Sequence, residues 1–168
     1  MHIKKHLSFS ALRKKMSEVF SDIPDERQKK KISISQHDAL MSGFACMYFQ
    51  DPSLLQFQKR LEDAQHQNNL RSLFGVNTTP SDTQMRDIID EISSENFRPI
   101  FKDYYLRLQR GKHLEQYQIF PGRYYCPMDG SEYYSSKEIS CKQCVTKEHK
   151  KGEITYSHQI LQGGISSP

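Results

Sequence analysis

The stretch Gln116-Tyr117-Gln118-Ile119-Phe120-Pro121-Gly122-Arg123-Tyr124-Tyr125-Cys126-Pro127-Met128-Asp129-Gly130-Ser131-Glu132-Tyr133-Tyr134 decides the fold. Upstream of it, apolar residues recur at helical spacing. Within it, Tyr117, Ile119 and Phe120 alternate with polar neighbours, and Pro121-Gly122 supplies a turn. Residues 123–134 are rich in Tyr and read as strand, interrupted at Asp129-Gly130. A second strand reads over 154–165, and the charged, Cys-containing stretch 140–152 between them reads as a loop. Two strands do not make an independent sheet. The expectation is therefore an α+β chain: a helical domain over 1–115, then over 116–168 the first strands of a larger core that continues after Pro168.

Working outward toward the N-terminus, each helix has its own start or stop signal. Ala11, Leu12, Met16, Val19 and Phe20 define the first helix, with Ser10 as candidate cap, and Ile23-Pro24 ends it because the residue before proline avoids helical backbone. Gln28 to Lys31 reads as a polar basic loop. Ser35 opens the next helix, with Asp38 as capping-box partner and Leu40, Phe44, Met47 and Tyr48 as its apolar repeat; Ala39, Gly43 and Ala45 keep it slim. Asp51-Pro52 closes it, and Pro52 is placed to begin another helix carrying Leu54, Leu55, Phe57 and Leu61. Residues 68–79 read as a linker. The run Pro80-Ser81-Asp82-Thr83-Gln84 is a sharp start signal, since Ser81 caps and Gln84 reaches back to it. Met85, Ile88, Ile89 and Ile92 supply that helix's buried face. A last helix holds Phe97, Ile100, Phe101, Tyr104 and Leu108, with Pro99 near its start and Gly111 at its close. The pair of helices from Ser81 onward fits a helix-turn-helix and equally fits an ordinary bundle.

Composition bounds the function without choosing it. The 168 residues carry 24 Lys or Arg against 20 Asp or Glu, a formal charge of +4, and 11% aromatics. With a pI near 8.8 and a mean hydropathy of -0.77, the balance permits nucleic-acid binding. Residues 1–31 concentrate the charge, with nine Lys or Arg against four Asp or Glu. No apolar run is long enough to span a bilayer, no export signal stands at the N-terminus, and the four cysteines do not form a secreted disulfide pattern. The expected compartment is the cytoplasm.

Two groups of residues carry chemistry. Asp129 ends a mostly apolar run without a Lys or Arg close in sequence. It is either the first residue of an Asp-Gly hairpin turn or a carboxylate held on a strand as a divalent-metal ligand. Cys141 and Cys144, with His149 and His158, offer thiolates and imidazoles at a spacing suited to tetrahedral zinc, the fourth ligand lying between His158 and Cys126. The alternative is a pair of free thiols in a surface loop. A thioredoxin-like pair is disfavoured because no βαβ pattern surrounds it. Arg27, Lys29, Lys30, Lys31, Arg86, Arg98, Arg107 and Arg110 are candidate phosphate contacts, which give affinity without sequence information.

Several segments together resemble the N-terminal half of a bacterial insertion-sequence transposase family. They are Asp51-Pro52-Ser53-Leu54-Leu55-Gln56-Phe57, Pro80 to Arg86, Arg98-Pro99 with Phe101, and Leu108 to Lys112. The likeness continues, in order, through Asp129-Gly130-Ser131, Tyr134-Ser135-Ser136, Cys141-x-x-Cys144, His149 and Tyr156-x-His158-Gln159. The resemblance implies a ribonuclease-H-like core with an Asp-Asp-Glu triad, in which Asp129 stands as the first carboxylate. Its implied role is to bind Mg²⁺ in two-metal phosphodiester cleavage and strand transfer. It also implies double-stranded DNA at element ends as partner and admits a homo-oligomer. The sequence departs from the pattern in two respects. The second Asp and the Glu have no counterpart before Pro168, Glu132 and Glu153 reading as surface charges, and Pro127 removes a donor from an expected central strand. The expected function is thus a truncated DNA transposase, catalytically inert as this chain. The alternatives are a non-catalytic DNA-binding remnant that represses transposition, or a small zinc-stabilised interaction module.

Overall fold

A computed structural model of the chain describes residues 5–150 and 152–166, except for the side chains of Lys29 and Tyr133. The chain is mixed α and β, and it divides into two compact units, Met1–Gly111 and Lys112–Pro168. The division falls four residues before the boundary expected from sequence.

The helical unit contains α1 (Phe9–Asp22), α2 (Gln36–Tyr48), α3 (Leu54–Arg60), α4 (Ala64–Phe74), α5 (Asp82–Asp90) and α6 (Arg98–Arg110). Helix α2 is central. It touches α1, α4 and α5, and it buries residues around most of its circumference, including Leu40, Met41, Ala45 and Cys46, as an interior helix must. Gly43 lets α5 approach closely, because a Cβ there would sit 3.1 Å from Ile89 Cδ1. Phe57, Leu70, Phe74, Val76 and Met85 complete the core with Ile100 of α6. Phe74, wholly buried, meets Phe9, Phe44, Tyr48 and Phe49 with ring centroids 5.4–5.9 Å apart, within the favourable range for edge-on aromatic pairs.

Most helix boundaries follow the sequence signals, and the exceptions have local causes. The capping box at Ser81 and Gln84 forms with both of its hydrogen bonds. Helix α1 is capped by Ser8, whose hydroxyl accepts from the Ala11 N–H, and Ser10 lies inside the helix. Pro52 precedes α3 without starting it; Ser53 is the cap and accepts from the Gln56 N–H. The stretch expected as a linker is mostly α4, capped by Asp63 and closed by Gly75 in left-handed conformation at φ 71°. Asp38 does not return to its cap. Its carboxylate accepts from the backbone N–H groups of Asn77 and Thr78, each at 3.1 Å, and ties that turn to α2. Asp51, nearly buried, similarly receives Arg60 Nε and Nη2 at 2.7–3.0 Å and fixes α3 to the end of α2.

Among its described residues the β unit holds five strands in two sheets. Strands β1 (Gln118–Phe120) and β2 (Arg123–Tyr124) form an antiparallel pair, joined through the turn at Gly122, which adopts φ 73°. Strands β3 (Met128–Ser136), β4 (Val145–Glu148) and β5 (Ile154–Gly163) form an antiparallel sheet in the order β3-β5-β4. The loop expected over 140–152 therefore contains a strand. Pro127 lies just outside β3, and β3 is an edge strand, so no ladder hydrogen bond is lost. Among the described residues of this unit only Leu114 and Ser157 are buried.

Candidate metal centre

Residue pairing in the three-stranded sheet determines which side chains can meet. Paired residues share a face, and faces alternate along a strand. Tyr134 pairs with His158 and Asp129 with Gln162. Along β5, Gln162, Ile160 and His158 therefore lie on one face. On β3, Asp129 and Tyr134 are five residues apart, which in a regular strand would put them on opposite faces. A register shift between Glu132 and Tyr134 inserts the extra residue that brings them to the same one. Glu132 pairs with Gln159 and so points to the opposite face from Asp129. Glu153 is engaged by Lys137 Nζ at 2.9 Å. Both acids are exposed and neither joins Asp129.

The edge strand β4 begins directly after Cys144, and Val145 pairs with Ser157. That register delivers the Cys141–Cys144 turn to His158. Cys141 Sγ lies 3.2 Å from His158 Nε2, Cys144 Sγ lies 3.4 Å from it, and the two sulfurs are 3.8 Å apart. A tetrahedral zinc with its usual bond lengths needs about 3.8 Å between sulfurs and about 3.5 Å between sulfur and nitrogen. The three donors thus already stand near the corners a single metal would require. Cys141, Cys144 and His158 are the one such group of three or more His, Cys, Asp or Glu found among the described residues.

The turn that carries the cysteines is organised around their sulfurs. The Cys141 N–H donates to Cys144 Sγ at 3.2 Å and the Gln143 N–H donates to Cys141 Sγ at 3.3 Å. The Cys144 N–H closes the turn on the Cys141 carbonyl at 3.1 Å. Backbone dipoles aimed at both sulfurs suit the negative thiolates that metal ligation demands. Beside them, Tyr134 stacks at a tilt on His158 with centroids 5.9 Å apart, and its hydroxyl donates to the Ile139 carbonyl at 2.9 Å. Tyr134 holds the imidazole's position and pins the loop that leads into Cys141.

Two residues expected near this centre are elsewhere. His149 sits at the far end of the β4–β5 hairpin, where its N–H donates to the Glu153 carbonyl and Nε2 lies 2.9 Å from Thr155 Oγ1. His149 is five residue steps from Cys144 along extended backbone, roughly 16 Å. Cys126 neighbours Gly163, to which it comes within 3.5 Å of a notional Cβ. That position is five residues from His158 on β5, again about 16 Å. The spacing in sequence suggested both; the hairpin geometry carries both away.

Asp129 is exposed and lies within β3, so Asp129-Gly130 is not a hairpin turn. No described cation forms an ion pair with it, and no other described carboxylate joins it in a metal-sized group. It shares a face with His158 but stands four residues along the strand, about 13 Å away, beyond the reach of one metal.

The expected phosphate contacts separate into two groups. Arg27 is bound to Asp25, Nη2 to Oδ2 at 2.6 Å, and also donates to the Ile34 carbonyl. That guanidinium holds the Asp25 carboxyl below its ordinary value, while the carboxylate raises Arg27. Arg107 binds Asp103 and the His6 carbonyl. These two arginines brace the helical unit. The exposed Arg86 pairs with half-buried Asp82 and the exposed Arg98 with exposed Glu95, and pairs open to solvent are weak. Lys30, Lys31 and Arg110 are exposed; for Lys29 the side chain lies outside the described residues. Helix α5 packs on α2 and α6 on α1, with the Tyr104 hydroxyl donating to the Leu12 carbonyl at 2.7 Å. No described helix is long and apolar enough to cross a membrane. Comparisons with protein-family models, with curated proteins and with solved structures find no match.

Proposed function

We propose that this chain is the DNA-binding and opening catalytic portion of an insertion-sequence transposase, with Asp129 as the first of the three metal-binding carboxylates. The observation that carries the reading is the setting of Asp129: exposed, within a strand, and without a cationic partner among the described residues. A carboxylate there is not explained by turn formation or by an ion pair. The exposed Met128, Ile160 and Leu161 of β3 and β5 also support it, because apolar residues on a sheet call for cover from a larger core. The segment resemblance supplies the family. In this reading the helical unit binds element-end DNA through exposed cations, and the other two carboxylates of the triad lie outside this sequence.

Asp129 alone cannot hold two Mg²⁺ ions, since several anionic ligands are needed to keep them about 4 Å apart. Mg²⁺ sheds water reluctantly and would stay largely hydrated beside one carboxylate. The chain by itself is expected to leave element-end DNA uncut with Mg²⁺ or Mn²⁺. Joined to a segment that supplies the second Asp and the Glu, it is expected to cleave, and Asp129→Ala is expected to abolish that activity. Metal-dependent cleavage by the joined protein that survives Asp129→Ala would overturn the assignment.

A second reading is favoured by the triad distances: Cys141, Cys144 and His158 bind zinc, and the metal staples the β unit. A unit of this size with so little buried apolar surface needs a staple of this kind. The two readings are compatible, since the triad and Asp129 occupy separate parts of one sheet face.

A further inference from the structure

We infer that the zinc held by Cys141, Cys144 and His158 keeps its fourth coordination position open to an exchangeable nitrogen or sulfur donor, with water there at rest. This rests on the zinc reading above and deepens it. Three corners of a tetrahedron are set by the two sulfurs and Nε2. Among the described residues no further Cys, His, Asp or Glu stands within reach of the fourth.

What adjoins the triad is a cavity of about 360 Å³, open to solvent and lined by Tyr134, Ile139, Ser140 and the three ligands. It has space for far more than one water, which occupies about 30 Å³ of liquid. Its other walls offer little that could ligate. The Tyr134 hydroxyl is committed to the Ile139 carbonyl, and Ile139 is apolar. The Cys141 and Gln143 N–H groups are spent on the sulfurs themselves, and the Cys144 N–H on the Cys141 carbonyl. A closed structural site takes four protein ligands, whereas a set of two Cys and one His with a solvent-facing position belongs to sites that exchange their fourth ligand.

Charge then selects the visitor. Two thiolates cancel the charge of Zn²⁺, so the centre is neutral and holds no electrostatic attraction for phosphate or carboxylate. A small monodentate imidazole or thiol, which binds by donor softness, fits both the metal and the apolar wall made by Ile139 and Tyr134.

The test uses the full chain loaded with cobalt(II) in place of zinc, read by its visible ligand-field absorption. One cobalt per chain with tetrahedral bands is expected, and free imidazole should shift those bands along a single saturable curve. Cys144→Ser and His158→Ala should lose the tetrahedral spectrum. His149→Ala and Cys126→Ser should keep both the spectrum and its response to imidazole. Bands unmoved at saturating imidazole would show a fourth protein ligand and overturn the open position while leaving the metal site standing. Bands that change with protein concentration alone would assign the fourth ligand to a second copy of the chain and likewise overturn it. Failure to take up cobalt or zinc would overturn the metal site itself.

Discussion

Removing the metal should loosen the β unit and leave the helical unit as it was. Between them, Leu114 and Ser157 are the buried residues described in the β unit, so little apolar burial opposes the opening of β4 from β5. A metal that binds only the closed form stabilises it by mass action, about 4.1 kcal/mol when free metal is 1,000 times its dissociation constant. That corresponds to roughly a thousandfold slowing of amide exchange where opening governs the rate. The amides that report it are those in the ladder between Val145–Glu148 and residues 154–157. Hydrogen exchange with zinc present and after chelation should differ there by two to three orders of magnitude, on the order of that stabilisation. Amides of α2 and α5 should exchange alike in both conditions, because no ligand comes from those helices. His158→Ala should behave like the chelated protein, and His149→Ala should keep its response to zinc. Equal exchange in β4 and β5 with and without zinc would refute the staple.

Other consequences follow from individual side chains. Asp38→Ala leaves the Asn77 and Thr78 N–H groups without their buried acceptor and should cost about 2–4 kcal/mol in denaturant unfolding of the helical unit, whereas a loss under about 0.5 kcal/mol would contradict the tie. Burial pushes the Cys46 thiol up, so it should react with a thiol reagent only on unfolding; zinc should shield Cys141 and Cys144 and leave Cys126 open. Asp25 has a depressed folded carboxyl pKa, so its contribution is present above the unfolded value of about 3.9 and fades as pH falls through the folded one. Asp25→Asn should therefore lower Tm at pH 7, by no more than about 1 kcal/mol equivalent, with the deficit vanishing toward pH 2; a deficit that grows in acid would reverse the sign of the argument.

The helices were legible where local chemistry dominates. The Ser81 cap and Gln84 three residues on needed no partner outside their own turn. Helix α4 was hidden by its Asn and Gln content, although Leu70 and Phe74 stand one turn apart between Asp63 and Gly75, a cap at each end. Asp38 could not be read locally, because its carboxylate is claimed by backbone nearly forty residues away. The β unit shows the same division. Cys141-x-x-Cys144 has the spacing of a metal-binding turn, but whether His149 or His158 stands beside it depends on strand register. The chain spends the four residues of β4 after Cys144 before reaching His149, then returns along β5 to set His158 at the sulfurs. Asp129-Gly130 has the composition of a hairpin, and only its pairing with Gln162 and Leu161 of a distant strand makes it β3.

DNA binding by the full chain tests the proposed function most directly. Fluorescence anisotropy with a labelled duplex should show association at about 50 mM salt that weakens steeply by about 200 mM, since each phosphate contact adds close to 0.9 to the logarithmic salt slope. About four contacts would give a loss of roughly 150-fold over that range. Lys30→Gln with Lys31→Gln, both exposed, should reduce the slope by nearly two without changing the helical content. Absence of any association at 50 mM salt, with the helices intact by circular dichroism, would contradict the account.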